Sequence, residues 1–316
     1  YLIFFQSIVN ADDNFDKWLI FFKKKAETEG ISIETINKVM DKAIFLPKVI
    51  DYDRYQPEFY EDTKTYINKR VTKSKIKKGI SLYKEKNLII NEIENKFLVQ
   101  KELLLALMGI ETNFGKYLGK MDIVSSLATL SYDKRRSEFF TKELLILLKL
   151  IDDRTLDHSI LFGSWAGAFG NFQFMPSTIK SYAIDYDKDG KIDLKKSKKD
   201  SVASAANYIH RMGWKQGAHC YIEVQLNKKI KDKLINYSAR GISNKLTIKK
   251  WKKLGVELPT EIKIKQKTKA ALISPDGKIS PKFLVFDNYE KVLKWNRSLR
   301  FGISVCKLTN MIKNDI

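Results

Sequence analysis

Glu111 closes an apolar run, Leu103-Leu-Leu-Ala-Leu-Met-Gly-Ile110, and a turn containing Asn113 and Gly115 follows at once. Leu104, Leu107, Met108 and Glu111 are three and four residues apart, so on a helix the carboxylate shares a face with core side chains. A carboxylate on the last turn of a buried helix is poorly solvated. Desolvation disfavours the anion and raises the pKa, as a general acid working near neutral pH requires. A helix end that merely leaves the core and points to water is the alternative open at this point. A second chemistry-bearing stretch is Asp185-Tyr-Asp187-Lys-Asp189-Gly190-Lys191-Ile192-Asp193, which fits the D-x-D-x-D-G start of an EF-hand calcium loop. There the Lys191 carbonyl would be a backbone ligand, but Lys196 stands where the loop expects a bidentate Glu. A metal-free, Asx-rich turn is the alternative. Cys220 and Cys306 are the two cysteines, and both a disulfide and two buried thiols are open.

These residues need a scaffold, and most of the scaffold reads as helix. Phe15, Trp18, Leu19 and Phe22 form one stripe, and Ser32 starts a helix that ends near Pro47. Residues 47–63, rich in Tyr and Asp, read as a surface wrap, and 65–99 as helices with Lys-rich outer faces. Helical patterns follow at 122–131 and at 135–151, the latter with Phe139, Phe140, Leu144, Leu147 and Leu148 inward. Between Gly163 and Pro176 the periodicity breaks. Gly163, Gly167 and Gly170, among small and aromatic residues, indicate backbone packed closely against a neighbour. Short helices return at 177–185 and 201–212. After Cys220 the texture changes to alternation at 221–226, 261–265, 269–273 and 282–286, with a Ser274-Pro-Asp-Gly277 turn. Helix resumes from Tyr289 to Ile312.

The 316 residues suffice for a large core, and 44% hydrophobic content excludes wholesale disorder. With 58 Lys+Arg against 37 Asp+Glu, the net charge of +21 favours an anionic partner. The excess is mostly Lys, and no nucleic-acid module is visible, so an anionic polymer such as cell wall satisfies it equally well. Tyr1–Ala11 reads as the tail of a secretory signal, an apolar run followed by small residues at Val9 and Ala11. No other apolar stretch reaches the ~18 residues needed to span a membrane.

The segments Gly109-Ile-Glu111-Thr-Asn-Phe-Gly115, Leu127-Ala-Thr-Leu-Ser, Arg135-Arg136, Gly163-Ser164-Trp-Ala-Gly-Ala-Phe-Gly170, Gln173-Phe-Met-Pro-Ser177, Ala206-Asn-Tyr208 and Trp295-Asn296 together resemble one family. It is the membrane-bound lytic transglycosylase B type of peptidoglycan-cleaving enzyme, glycoside hydrolase family 103, and the order of segments holds from about Phe15 to Leu308. The resemblance implies that Glu111 is the sole catalytic acid/base, cutting the β-1,4 bond from N-acetylmuramic acid to N-acetylglucosamine and closing a 1,6-anhydro ring. One carboxylate then suffices where most glycosidases use two. Asp122, Asp133 and Glu138 read as surface or capping residues. By the same resemblance Ser164, Gln173, Tyr208, Trp295, Asn296 and Phe301 contact substrate. Trp295 and Phe301 stand where the family usually carries Tyr, which keeps a stacking surface and loses a hydroxyl, and Phe172 replaces a residue more often Gly or Pro. Some members bind calcium in an acidic loop closed by a later carboxylate, which gives Asp185, Asp187, Asp189, Lys191 and Asp200 as ligands of a weak, structural calcium.

The expected fold is α+β and predominantly α: a lysozyme-like catalytic core with an N-terminal helical region and a small β-containing insertion. The divisions are 1–11 signal remnant, 12–90 N-terminal helices, 91–220 catalytic core with the EF-hand-like loop, 221–287 β-containing region and 288–316 helical return. The expected function is that of an exported, periplasmic lytic transglycosylase that needs no cofactor for its chemistry. It would act as a monomer on peptidoglycan glycan strands, with no nucleic-acid partner and no transmembrane helix in the mature chain. A lysozyme-type hydrolase and a non-catalytic wall-binding protein are the alternatives.

Overall fold

The structure, a computed structural model, describes residues 11–279 and 281–316. The expected signal remnant at 1–11 therefore lies, apart from Ala11, outside the described residues. The helices are α1 (Ala11–Thr28), α2 (Ile33–Met40), α3 (Pro47–Arg54), α4 (Pro57–Tyr60), α5 (Thr63–Arg70), α6 (Lys73–Phe97) and α7 (Lys101–Thr112). They continue as α8 (Ile123–Tyr132), α9 (Ser137–Asp152), α10 (Pro176–Tyr182), α11 (Lys198–Arg211), α12 (Ile248–Lys253), α13 (Asp287–Trp295) and α14 (Leu299–Asp315). Strands are β1 (Met121–Asp122), β2 (Phe162–Gly163), β3 (Tyr221–Leu226), β4 (Ile235–Asn236), β5 (Leu246–Thr247), β6 (Val256–Glu257), β7 (Lys269–Ile273) and β8 (Lys282–Val285). Many helices start on a side-chain oxygen that takes an otherwise unpaired backbone N–H: Ser32 accepts from Thr35, Asp62 from Thr65, Thr72 from Lys75 and Asp122 from Ser125. Among the described residues no helix is long and apolar enough to cross a membrane.

The chain divides into two compact units, each built from two segments of the sequence. The first unit takes residues 11–56 and 117–201. Its centre is α8 against α9, with Leu127, Ala128, Leu144 and Leu148 fully buried. α1 adds an aromatic cluster in which Phe15 lies 5.4 Å from Phe45 and 5.6 Å from Tyr132. Phe139, expected inward, is instead 41% exposed under the Arg136 guanidinium, which sits 4.7 Å from its ring centroid. Its neighbour Phe140 takes the core position, because successive residues of a helix point in different directions. The Gly-rich loop is packed as its composition implied. A Cβ on Gly167 would lie 2.5 Å from Leu127, and one on Gly170 2.6 Å from the Leu194 carbonyl, with both residues at positive φ. The stretch 47–63, read as a surface wrap, contains α3 and α4, each opened by a proline at the first helical position.

The second unit takes Pro57–Lys116 and Val202–Ile316. α14 is its axis: ten of its residues are buried, and α5, α6, α7 and α13 pack on it. A β region joins this unit, with strand order β4-β7-β8-β3-β6 and β5 on β7. It has its own core around Ile222, Val224, Trp251, Leu272 and Leu284, and the buried Trp251 indole donates to the Ala270 carbonyl at 2.8 Å. Residues 261–265 alternate in burial, with Ile262 and Ile264 packed on this core, but they form no strand because no backbone ladder pairs them. Cys220 and Cys306 are joined as a disulfide between the start of the β region and α14, with Cα atoms 6.0 Å apart. That resolves the two open states of the cysteines in favour of the pair.

Candidate active site

Glu111 sits on the last turn of α7, and the local sequence determines how that turn ends. Asn113 and Phe114 both adopt left-handed backbone (φ 51° and 62°), and their N–H groups return to the carbonyls of Gly109 and Met108 at 3.2 Å. The Thr112 hydroxyl donates to the Met108 carbonyl and accepts from Gly115 N–H at 2.9 Å. The chain thus doubles back and places the Phe114 ring beneath the helix. A Cβ on Gly109 would meet that ring at 2.8 Å, and one on Gly79 of α6 at 3.3 Å. The two glycines form the notch that holds Phe114, and Phe114 fixes where α7 ends. Glu111, two residues past Gly109, is half-buried.

Trp295, the last residue of α13, donates its indole N–H to Glu111 Oε1 at 2.9 Å. Tyr208 of α11 stacks on the Trp295 ring, with centroids 5.0 Å apart and planes at 27°, and donates its hydroxyl to the Lys294 carbonyl at 3.0 Å. The acid, its donor and the aromatic behind the donor therefore form one chain of contacts built from three helices of one unit. Relative to the Tyr usual in the resembled family, Trp295 lacks a hydroxyl and keeps a stacking ring, and its indole nitrogen supplies a donor to the acid. Asn296 ends α13, bonding its N–H to the Val292 carbonyl at 3.2 Å, and is half-buried. Phe301, expected to contact substrate, is only 3% exposed. Its apolar ring belongs to the packing of α14 and presents little surface to a ligand.

Lys75, which carried no motif, is also electrostatically coupled to Glu111. It lies one turn before Gly79 on α6, the turn that meets Phe114. Burial, and then the charge of Arg70, push its pKa down, while the Glu111 carboxylate opposes the drop. Among the many lysines of the sequence nothing singled it out.

Ser164 and Gln173 belong to the first unit. Ser164 Oγ accepts from the Ala168 and Ala166 N–H groups at 2.9 and 3.2 Å, so it caps its loop and keeps only its own proton to donate. Gln173, at φ 51°, points its amide nitrogen at the Gly170 carbonyl (2.9 Å), which leaves the amide oxygen as an acceptor. Asp122 caps α8 and Asp133 pairs with Arg54 at 2.9 Å, while Glu138 is exposed. Phe172 is 2% exposed and tilts against Phe174, a packing role.

The acidic loop, also in the first unit, brings carboxylate oxygens of Asp185, Asp187 and Asp200 within 4.8 Å of one another. Asp200, at the start of α11, accepts from the N–H groups of Tyr186 (2.8 Å) and Asp193 (3.0 Å), and burial pushes its carboxyl up against the effect of those bonds. Asp189 turns to Lys191 N–H at 2.9 Å, outside the three-carboxylate group. Gly190 takes φ +87°, and an added Cβ there would meet nothing within 4 Å.

Known proteins are similar to this chain over most of its length. The transglycosylase SLT domain family matches residues 14–310. The membrane-bound lytic murein transglycosylase B of Escherichia coli K12 is 37% identical over 153 residues, covering 48% of this chain and 42% of that protein, so the match spans less than half of the curated relative. SltB3 from Pseudomonas aeruginosa, solved in complex with NAG-anhNAM-pentapeptide, superposes with a TM-score of 0.83 at 31% identity, over 95% of this chain and 79% of that one. The Escherichia coli lytic transglycosylase Slt35, solved in complex with bulgecin A, superposes with a TM-score of 0.80 at 26% identity, over 96% of this chain and 94% of that one. With a lysozyme-like, mostly helical fold and a match over nearly its whole length, the chain belongs to the transglycosylase SLT domain family.

Proposed function

We propose that this protein is a peptidoglycan lytic transglycosylase in which Glu111 is the single acid/base. The observation that carries the reading is the half-buried Glu111 carboxylate held by the Trp295 indole on the family's own motif. Glu111 begins protonated and donates to the glycosidic oxygen between the muramic acid and glucosamine residues, and the C1–O bond breaks. The resulting carboxylate keeps the Trp295 N–H and has the positive Lys75 in its field. It then takes the proton of the muramoyl C6 hydroxyl as that oxygen attacks C1, which closes the 1,6-anhydro ring without consuming water. The substrate's N-acetyl group relieves the charge developing at C1. Ser164 as a donor and Gln173 as an acceptor are suited to sugar hydroxyls and N-acetyl groups, and the family resemblance gives Tyr208 and Asn296 as further substrate contacts.

The experiment is a digest of purified sacculi by the protein and by Glu111→Gln, with mass spectrometry of the soluble products. Anhydro-ended muropeptides, lighter by one water than hydrolysed ones, are expected, with a loss of about 10²–10⁴-fold in the variant. Reducing ends would make the protein a hydrolase, and an active variant would remove Glu111 from its role.

The place of action follows from a separate line of support. A disulfide between Cys220 and Cys306 suits an oxidising compartment, and the curated relative is named a membrane-bound enzyme of a Gram-negative bacterium. We place the protein in the periplasm as an exported monomer working on glycan strands. The hard oxygen set of Asp185, Asp187 and Asp200, with the Lys191 carbonyl, fits a weak structural calcium rather than a catalytic metal. Millimolar calcium should raise Tm by about 2–4 °C and leave Asp187→Asn unmoved. An equal response in both proteins would refute the site.

A further inference from the structure

The positive charge is unevenly distributed. Residues 221–287 carry 16 Lys+Arg against six Asp+Glu, a net +10, close to half of the molecule's +21 in about a fifth of its length. The fold then gathers these lysines. α12 presents Lys249, Lys250, Lys252 and Lys253 outward around the buried Trp251. Its start is bonded to a second Lys-rich segment: Ile248 N–H donates to the Thr268 carbonyl at 2.9 Å and Lys249 N–H to the Gln266 carbonyl at 3.1 Å. This brings in Lys265, Lys267 and Lys269, all exposed. Its end is joined to a third. Asn227 N–H donates to the Gly255 carbonyl at 3.0 Å, and a Cβ on Gly255 would lie 2.7 Å from Lys228, next to Lys229. Three segments distant in sequence thus make one lysine ridge. Two of the region's six acidic residues are engaged in ion pairs with its own lysines, Asp287 with Lys245 and Asp232 with Lys278, and Glu257, beside the ridge, accepts from the Asn227 amide at 2.7 Å.

We infer that this ridge is a second docking surface, separate from the site at Glu111, for the carboxylates of peptidoglycan peptide stems; the inference rests on the substrate class proposed above. Concentrated like charge costs self-repulsion, and an anionic polymer relieves it. The side chains are lysines and not arginines, which makes them mobile, hydrated point charges without the planar fork that grips one carboxylate or phosphate in a fixed geometry. Such charges fit carboxylates scattered along a flexible, irregular network. No large hydrophobic side chain is exposed within the ridge, and Trp251 is fully buried, so nothing is available to insert into an acyl layer or stack on a base. The surface would hold the enzyme on its insoluble substrate while the site near Glu111 releases and re-engages strands.

The test uses full-length protein carrying Glu111→Gln, so that the polymer persists, and measures co-sedimentation with intact sacculi across a salt series. Replacing Lys249, Lys250, Lys252 and Lys253 together with Gln should weaken sedimentation about tenfold or more at low salt and flatten its salt dependence. The matching four-fold Lys→Arg variant should retain binding, and unchanged thermal unfolding of both variants shows that the fold survives. Sacculi stripped of their peptide stems by an amidase should bind the unsubstituted ridge as weakly as intact sacculi bind the Gln variant. Equal binding by the Gln variant overturns the inference, as does undiminished binding to stem-free glycan. A loss confined to vesicles containing phosphatidylglycerol assigns the ridge to lipid and overturns it too. Turnover of a small soluble muropeptide by the Gln variant in the Glu111 background reports on catalysis separately. If that turnover is absent even without ridge substitutions while stem-dependent sedimentation persists, the activity reading fails and the docking surface stands.

Discussion

Trp295→Phe separates two contributions at Glu111, because it removes the indole N–H and keeps a ring on Tyr208. A hydrogen bond to a charged group is worth about 1.5–3 kcal/mol, so kcat should fall about ten- to a hundredfold while KM changes little. Steady-state kinetics on a soluble muropeptide decide it, and an unchanged kcat would show that the bond does not act in catalysis. At this scale the sequence was most informative about Glu111 itself, since periods of three and four along one helix set a carboxylate beside Leu107 and Met108. Its neighbours were harder to read. Trp295 is 184 residues away, and a Tyr-to-Trp exchange looks like a lost hydroxyl until the ring's orientation is known. Lys75 feels the acid's charge from α6, which meets α7 across Gly79, Phe114 and Gly109, a crossing that no local pattern announces. Phe301 misled for the opposite reason, because an aromatic at a family cleft position is buried here.

Among the elements, the turn after β7 shows how few polar groups can tie three pieces of backbone. Asp276 accepts from Thr63 N–H (2.8 Å) and Oγ (2.6 Å) at the start of α5, and from Arg300 of α14 at 2.7 Å. Burial alone would push its carboxyl up, but the Thr63 bonds and the Arg300 guanidinium outweigh burial and hold it below the usual value. A carboxylate depressed on folding stabilises above its unfolded value and loses that contribution as pH falls through the folded one. Asp276→Asn should therefore cost about 2–3 kcal/mol near neutral pH, with the gap from the parent narrowing below about pH 4. Urea denaturation at several pH values checks this, and a constant gap would exclude the charge as the cause. The helices of the core were legible from periodicity because their stripes are long. Residues 261–265 were not, since alternation reports burial and a strand also needs a backbone partner, which distant sequence supplies. The 47–63 stretch hid α3 and α4 because helices of eight and four residues are too short to show a stripe.

On the scale of the whole chain, the bulk positive charge was visible at once, whereas its concentration around α12 depends on backbone bonds that join segments far apart in sequence. The β region also enters and leaves by adjacent strands. Tyr221 of β3 pairs with Val285 of β8, and Phe286 N–H donates to the Cys220 carbonyl at 3.0 Å. Such a doorway makes the region a cassette: joining residue 221 to 285 through a two-residue Asn-Gly turn asks almost no loop-closure entropy of the remaining chain. The shortened protein should keep the helical circular dichroism of its parent and the bond from Trp295 to Glu111, and a chain that unfolds instead would show the sheet to be part of the foundation. In evolutionary terms the same doorway is a place where a lineage can exchange one wall-gripping surface for another and leave the acid untouched.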